Sequence, residues 1–552
     1  MIPVISYIGR LKESRKGFEL FLDSLCILSA FRSDLVFKAR VIGGDEEDVN
    51  WAIASAESRM ELRDLLQKGY IEFWGRVEND ALPEFYSRST VLVVPSFREQ
   101  FGIVAVEAMM CGCPVIASNI GGLRDIVIDG ITGTLFEWGN AAALSNVLAS
   151  YIFNPFRAKW KGKNASVWVK SQFEAEKVYA KFKSLYESPN NSQVAGYEDN
   201  KKLYRKLIIE QSIPIVEKML QLKVAGFEDL SSSPSISYRI NTYTGESFYV
   251  KKHAPRPTSL SCLFPVQYPN NGETLPETRI KLLEMLQATH IVPELVASDL
   301  SEGIIVQKWY TAIEINNFEV AKKYIDIVIS KIQDIQLSEV DENLIAAINS
   351  KLDDLVLTHD HSLLLEMDKM CSEINAPLFS GILRTKNVHP IIELVRLIKY
   401  IRVNKNLLPT NFAFRAESCI NLLLSLRKIP ALLPRLGHGS MKIEHLLRGK
   451  DGELLVCDLD HCGYFFGPFD VAHWVWTFYN DNETPAPKAI LNAINKILSE
   501  PREFFFAACW VLVIQLNREL WKFASGKLNE HEKTLSFLYL FPEVCRHYLF
   551  RK

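Results

Sequence analysis

Ser96-Phe97-Arg98-Glu99-Gln100-Phe101-Gly102-Ile103-Val104-Ala105-Val106-Glu107-Ala108, with Cys111-Gly112-Cys113-Pro114-Val115-Ile116-Ala117 behind it, decides the fold. The preceding Val91–Val94 is an unbroken apolar run closed by Pro95, the pattern of a short buried strand. Seven residues separate Glu99 from Glu107, which puts the first in a loop and the second inside the following helix. Gly102 lets the backbone come close to a ligand. The amides of Phe101, Gly102 and Ile103 open a helix N-terminus, where the peptide dipoles favour phosphate or another anion. A carboxylate beside such an end suits hydrogen bonding to sugar hydroxyls. An ordinary strand–loop–helix unit with two surface acids has the same spacing.

Outward from this stretch, residues 4–150 alternate apolar runs with helical stretches. The runs are Val4–Ile8, 35–42, 71–74, Val91–Val94 and 115–117. That rhythm predicts an α/β Rossmann-like domain, a parallel sheet with helices on both faces, with ligands beyond the carboxyl ends of the strands.

Three further segments join the central one in the same order. They are Gly9-Arg10-Leu11 with Lys16-Gly17-Phe18; Phe73-Trp74-Gly75-Arg76-Val77; and Gly121-Gly122-Leu123-Arg124-Asp125 followed by Asp129-Gly130 and Gly133. Together they resemble the donor-binding half of the retaining GT-B glycosyltransferases, the group that includes glycogen and sucrose synthases. The resemblance covers roughly residues 4–187. It implies a nucleotide-diphosphate sugar as the bound partner and a reaction that keeps the anomeric configuration. Arg10 and Lys16 would grip the donor diphosphate, Glu107 the ribose, and Glu99 the donor sugar near the reacting carbon. Gly9, Arg76, Phe101, Gly102 and Ile103 complete the donor-binding set. Two cations at the leaving diphosphate offset its growing charge, so no cofactor or metal is expected for glycosyl transfer. No second carboxylate nucleophile is evident, which favours a front-face route. GT-B enzymes also carry an acceptor domain, whereas this sequence opens on the first donor-domain strand. A separate acceptor-domain polypeptide, a truncated reading frame or a donor half kept for binding are the alternatives.

At 552 residues, two or three domains are expected. A formal charge of −2 gives no electrostatic case for nucleic acid. The ten cysteines form no CxxC pair and read as small buried hydrophobes in a reducing compartment. The opening residues 1–8 lack a basic start, so no signal peptide is expected there, and the longest apolar run, 504–514, suits a buried helix rather than a transmembrane segment. These features predict a cytoplasmic protein.

The expected organisation is a donor-binding domain over 1–187, a linker and connecting helix over 188–229, and a second domain over 230–552. The linker begins in the polar, turn-rich Ser188-Pro189-Asn190-Asn191-Ser192. Alternation around Thr244-Gly245 predicts a β-hairpin, followed by a helix near 277–287, strands at 295–298 and 303–309, and mostly helix over 312–430. Then come His438-Gly439-Ser440-Met441-Lys442-Ile443-Glu444-His445, the apolar Leu454-Leu455-Val456-Cys457-Asp458-Leu459-Asp460, and Gly467-Pro468-Phe469-Asp470-Val471-Ala472. These segments resemble the aminoglycoside phosphotransferase and choline kinase family, whose α+β fold is protein-kinase-like, over about residues 230–525.

The family pattern H-G-D-x-x-x-x-N implies ATP and Mg2+, with His438 opening the motif and Asp458 holding the metal. Lys251 is the candidate phosphate-binding lysine, with Lys252 as the alternative. Ser440 stands where the family has its catalytic aspartate, and His445 where it has a metal-binding asparagine. Serine cannot accept a proton as a carboxylate does, and loss of a general base costs about 10²–10⁴-fold. Asp460 is the nearby carboxylate able to substitute for it. A degenerate, binding-only kinase fold is therefore expected, with an active but altered kinase as the alternative. Two overall functions follow: a glycosyltransferase of polysaccharide or glycoconjugate assembly with a fused phosphotransferase-like domain, or a non-catalytic nucleotide-sugar-binding or regulatory protein.

Overall fold

The computed structural model describes residues 2–31, 36–153, 155–187, 197–231, 235–253, 256–257, 273–274, 276–313, 318–335, 341–374, 389–403, 408–425, 432–449, 451–459, 462–480, 487–498, 500–524 and 531–549. The chain divides into two compact units. One comprises residues 1–214 with 231–236 and 524–526; the other comprises 215–230 with 237–523 and 527–552.

The first unit is built on β1 (Val4–Ile8), α1 (Phe18–Phe31), β2 (Lys38–Ile42), α2 (Glu46–Glu57), α3 (Met60–Gln67), β3 (Ile71–Phe73), α4 (Leu82–Ser87), β4 (Val91–Val94), α5 (Ile103–Met110), β5 (Val115–Ser118), α6 (Gly121–Ile126), β6 (Gly133–Phe136), α7 (Ala141–Phe153), α8 (Pro155–Phe173) and α9 (Ala175–Glu187). All strands pair in parallel in the order β3-β2-β1-β4-β5-β6. Ile5 lies between Ala39 and Val91 in register, and all three are fully buried, as strands covered on both faces require. The strand order reverses direction between β1 and β4, which opens a crevice at their carboxyl ends. Gly17 ends the short turn that follows β1. Its φ is +72°, and a Cβ there would stand 1.9 Å from the Pro95 carbonyl oxygen, so only glycine lets the loop after β1 reach the loop after β4. The apolar runs do not predict β6, which opens on Gly133-Thr134. A Cβ on Gly133 would stand 2.2 Å from the Val115 carbonyl oxygen, so the missing side chain is what lets the strand approach.

Of the polar linker, residues 188–196 lie outside the described residues, and α10 (Tyr197–Leu220) follows directly. The second unit opens with β7 (Val224–Asp229), β8 (Ile236–Thr242) and β9 (Ser247–Lys252), then the two-residue strands β10 (Arg256–Pro257) and β11 (Glu273–Thr274), α11 (Pro276–Leu286), β12 (Leu295–Asp299) and β13 (Ile304–Lys308). A five-stranded antiparallel sheet runs in the order β12-β13-β9-β8-β7. Its edge strand β7 lies within residues 188–229, where a linker and connecting helix are expected. Both faces of β7 are largely open, so it lacks the apolar alternation that marks a half-buried strand.

Helices α12 (Phe318–Gln333), α13 (Glu342–Thr358), α14 (His361–Ile374), α15 (Pro390–Val403) and α16 (Thr410–Leu424) follow the short β14 (Thr311–Ala312). Next are β15 (Pro434–Gly437), β16 (Leu446–Arg448), β17 (Leu454–Val456) and β18 (Gly463–Phe466), and the helices α17 (Phe469–Asn480), α18 (Pro487–Ile497), α19 (Pro501–Ala524) and α20 (His531–Leu549). The apolar run at 504–514 lies buried within α19. Among the described residues, no helix is long and apolar enough to cross a membrane.

Candidate functional site

Two loops meet at the reversal point of the parallel sheet. Lys16 follows β1 and Glu99 follows β4. Lys16 Nζ donates to Glu99 Oε2 at 2.6 Å, with side-chain exposures of 22% and 13%. The Phe97 amide donates to the Arg15 carbonyl at 2.7 Å, which fixes the two loops to each other. Arg10 is placed differently. Its side chain is 80% exposed and its guanidinium lies 3.7 Å from the Glu13 carboxylate. Gly9 binds through its amide to the Ile42 carbonyl at 3.0 Å, at the start of the loop that carries Arg10. Arg76 is exposed beyond β3.

Gly102 caps α5 with φ +99°, a conformation that strains any L side chain, and a Cβ there would also stand 2.7 Å from Leu123 Cδ2. The first amides of α5 have no acceptor inside the helix, and so form an anion-accepting end. Phe101 and Ile103 flank this end and are exposed. The Glu99 loop rests on the start of α6, where the Gly122 amide donates to the Glu99 carbonyl at 3.2 Å. Cβ atoms on Gly121 and Gly122 would stand 2.4 Å from the Glu99 and 2.3 Å from the Gln100 carbonyl oxygens. The glycine pair is therefore what allows the carboxylate loop to seat. Glu107 is exposed on α5, and its Oε2 accepts from the Tyr86 hydroxyl at 2.8 Å.

Tyr86 was not legible as a site residue, because a buried tyrosine in a six-residue helix has no distinguishing pattern. The same holds for Trp138, whose ring lies 4.5 Å from that of Phe97, next to the Glu99 loop. Together these groups offer one ammonium, two carboxylates, a helix amide end and exposed rings, a set suited to a phosphorylated, hydroxyl-rich ligand.

The second unit has its own cluster. Strand alternation separates the two lysines at the end of β9. Lys251, with 7% side-chain exposure, donates to Asp458 Oδ1 at 2.8 Å, whereas Lys252 pairs with Glu302 at 2.9 Å. Asp458 sits after β17 at φ +60°, a left-handed conformation that aspartate tolerates better than most residues. His445 Nε2 stands 3.5 Å from Asp458 Oδ2. Burial, aided by the neighbouring His438, lowers the His445 pKa to about 4, so this imidazole is neutral at pH 7.

Asp470 holds the turn after β15. Its two oxygens accept from the amides of His438 (2.7 Å) and Gly439 (2.9 Å). His438 donates from Nε2 to the Cys457 carbonyl at 2.8 Å and accepts at Nδ1 from the Ser440 amide at 3.3 Å. The structure therefore brings Lys251, His438, Ser440, His445 and Asp458 into one neighbourhood. Asp460 lies outside the described residues. Magnesium prefers an all-oxygen shell, so a carboxylate already held by an ammonium beside an imidazole fits it poorly.

Residues 2–153 match the family model described as Glycosyl transferases group 1. The chain is similar to an uncharacterized glycosyltransferase of Methanocaldococcus jannaschii, 41% identical over 118 residues, which is 21% of this chain and 33% of the relative. It is also similar to the phosphatidyl-myo-inositol mannosyltransferase of Propionibacterium freudenreichii, 31% identical over 156 residues, 28% of this chain and 36% of that one. The glycogen synthase of Mycobacterium tuberculosis is 30% identical over 180 residues, 33% of this chain and 41% of its own length. Among solved structures, sucrose-phosphate synthase of Thermosynechococcus elongatus aligns at 32% identity over 34% of this chain and 45% of its own, with a TM-score of 0.28. Anabaena HepE in complex with UDP-glucose aligns at 23% identity over 34% of this chain and 49% of its own, with a TM-score of 0.29. The chain spans about a third of the length of the first curated relatives it matches.

Proposed function

We propose that the first unit is the donor-binding half of a configuration-retaining GT-B glycosyltransferase that takes a nucleotide-diphosphate sugar. The observation that carries this reading is the Lys16–Glu99 ion pair at 2.6 Å, which joins two motifs 83 residues apart at the reversal point of the parallel sheet. Lys16 holds the diphosphate and stabilises the charge that grows on it as the glycosidic bond breaks, with Arg10 able to swing in from solvent. Glu107, braced by Tyr86, takes the ribose hydroxyls. Glu99 contacts the donor sugar beside the reacting carbon, and the reaction follows a front-face route without a metal cofactor. An acceptor-domain polypeptide is the partner this reading calls for.

Isothermal titration of the chain with UDP, GDP and ADP sugars tests it. Saturable binding of at least one is expected, and a folded protein that binds none of them would sink the proposal.

For the second unit, the proposed reading is a phosphotransferase-like fold with a degenerate site. Ser440 provides no carboxylate to orient and deprotonate an acceptor hydroxyl, and positioning supplies most of the catalysis in phosphoryl transfer. The alternative is a protein whose two units bind nucleotides and catalyse neither reaction. Donor hydrolysis separates the two, because slow release of free sugar from a bound nucleotide sugar requires an intact donor site.

A further inference from the structure

Three loops follow β4, β5 and β6 along the carboxyl edge of the parallel sheet, on the far side of β4 from Lys16. The first carries Phe97, two residues before Glu99; the second carries Asn119; the third carries Glu137 and Trp138. The rings of Phe97 and Trp138 stand 4.5 Å apart with planes 48° from parallel. Both remain open to solvent, Phe97 at 56% and Trp138 at 45%. Apolar side chains left open singly are ordinary, whereas a contiguous set rimmed by polar groups marks a binding surface.

Both rings are carried by fixed backbone. The Phe97 amide donates to the Arg15 carbonyl at 2.7 Å. Trp138 lies in a tight turn, in which the Asn140 amide donates to the Glu137 carbonyl at 3.3 Å and Gly139 takes φ +83°. Asn140 Oδ1 accepts from the Ala143 amide at 2.8 Å, and Asn119 Nδ2 donates to Glu137 Oε1 at 2.9 Å. The turn is thus tied to α7 and to the loop after β5, so a ligand has little backbone left to order.

The rim decides what covers the rings. A standard protein interface buries about 800 Å² on each partner around an apolar centre. Here the sequence neighbours of the two rings, Arg98 and Glu137, are charged and exposed. Their charges are opposite, so the surface selects neither an anion nor a cation. A pyranose suits both parts of it. Its C–H face carries partial positive charge that meets the negative face of an aromatic ring, and its hydroxyls suit the Glu137 carboxylate and the Asn119 amide.

We propose that Phe97 and Trp138 form a stacking subsite for one sugar ring of a neutral oligosaccharide, the acceptor of the transfer. The acceptor role rests on the donor-site reading; the subsite does not. In that role an acceptor hydroxyl oxygen bonds to the anomeric carbon as the bond from that carbon to the diphosphate oxygen breaks. The hydroxyl proton passes to the leaving diphosphate.

The test is a calorimetric titration of the full-length chain with maltopentaose, cellopentaose and N-acetylchitopentaose, beside saturation-transfer NMR on the sugar protons. Saturable binding of at least one is expected, with the strongest transfer to the C–H protons of one ring face. Trp138→Ala and Phe97→Ala should each weaken binding by about tenfold, and Trp138→Tyr should keep most of it, because the ring face makes the contact. Thermal melts report whether each variant is folded. A folded parent that binds none of the three sugars, or folded alanine variants that bind like the parent, overturn the proposal. So does self-association of the parent that is lost in Trp138→Ala, since the rings then belong to a contact between chains. Nucleotide-sugar titration of the same samples separates the two claims. A chain that binds nucleotide sugar but no oligosaccharide loses the subsite and keeps its donor site. One that binds oligosaccharide alone keeps the subsite and loses the acceptor role.

Discussion

The Tyr86 hydroxyl, buried under α5, donates a 2.8 Å hydrogen bond to Oε2 of the exposed Glu107 and so fixes the direction of a carboxylate that would otherwise sample many rotamers. Burial, and then the hydrogen bond to Glu107, push the phenol pKa upward, so the hydroxyl remains a donor throughout the working pH range. Tyr86→Phe removes only this brace. A hydrogen bond to a charged group contributes about 1.5–3 kcal/mol to stability, so the melting temperature should fall modestly, and nucleotide-sugar affinity should fall by about tenfold as the carboxylate loses its fixed direction. Titration calorimetry beside a thermal melt checks this, and unchanged affinity would remove Glu107 from the ligand-binding set.

Lys16 and Glu99 neutralise each other before any ligand arrives, so a bound diphosphate must draw the ammonium from the carboxylate to itself. Lys16→Met should weaken nucleotide-sugar binding by about 10–100-fold, the loss expected for one charge-assisted contact. Glu99→Gln keeps the side-chain shape and frees the lysine, so it should preserve nucleotide binding and abolish sugar transfer or hydrolysis. If both variants bind and turn over like the parent, the roles given to this pair are wrong.

Gly122→Ala tests the support beneath the site. The added methyl would meet the Gln100 carbonyl oxygen at 2.3 Å and the Phe101 Cα at 2.7 Å, both backbone atoms that move only with the whole loop. Overpacking of this kind costs about 1–3 kcal/mol. A lower melting temperature together with weakened nucleotide-sugar binding is expected. An alanine variant with the parent's stability and affinity would show that the Glu99 loop is not seated as described.

How much of this was legible from sequence depended on how many residues shared one signal. Strands β4 and β5 are apolar because both of their faces are covered, and Lys16 and Glu99 follow β1 and β4 in the loops at their carboxyl ends. Strand β7 has no buried face, and its residues therefore read as linker. Alternation could have told Lys251 from Lys252 only if the inward face of β9 had been known. Arg10 and Lys16 read as an equivalent pair of cations, but the Lys16 side chain is 22% exposed on Glu99 whereas that of Arg10 is 80% exposed. The Tyr86 brace and the His445–Asp458 proximity arise from tertiary packing, which leaves no local pattern.

On the proposed phosphotransferase-like reading of the second unit, placing that pattern's residues at positions 440 and 445 should give it a response to magnesium. The double variant Ser440→Asp/His445→Asn places a carboxylate on the turn held by Asp470 and an oxygen donor beside Asp458. A thermal-shift titration with ATP should show little Mg2+-dependent stabilisation of the parent and a clear Mg2+-dependent rise for the variant. Strong stabilisation of the parent by MgATP, with ATP hydrolysis at ordinary kinase rates, would end the degenerate reading.

Acid stability of the second unit depends on His389. This residue precedes α15 and is fully buried, between the rings of Phe466 at 4.7 Å and Phe506 at 5.6 Å. Its Nδ1 accepts from the Ile391 amide at 3.3 Å, so the side chain caps the helix while carrying its proton on Nε2. Burial lowers its pKa from 6.5 to about 3. Between those values the unfolded chain binds a proton that the folded one refuses, so stability rises with pH across this window and is lost on acidification below about pH 6.5. At 1.36 kcal/mol per unit, the loss from this group alone by pH 5 is about 2 kcal/mol. His389→Asn keeps a helix-capping acceptor and removes the titrating group. The variant should be less stable than the parent at pH 7.5, because the smaller side chain leaves space between the two rings, yet lose less stability on going to pH 5. Thermal melts of both proteins at the two pH values give the comparison directly, since carboxylates common to both cancel in the difference. Equal acid losses in parent and variant would mean that His389 is not held neutral by its burial.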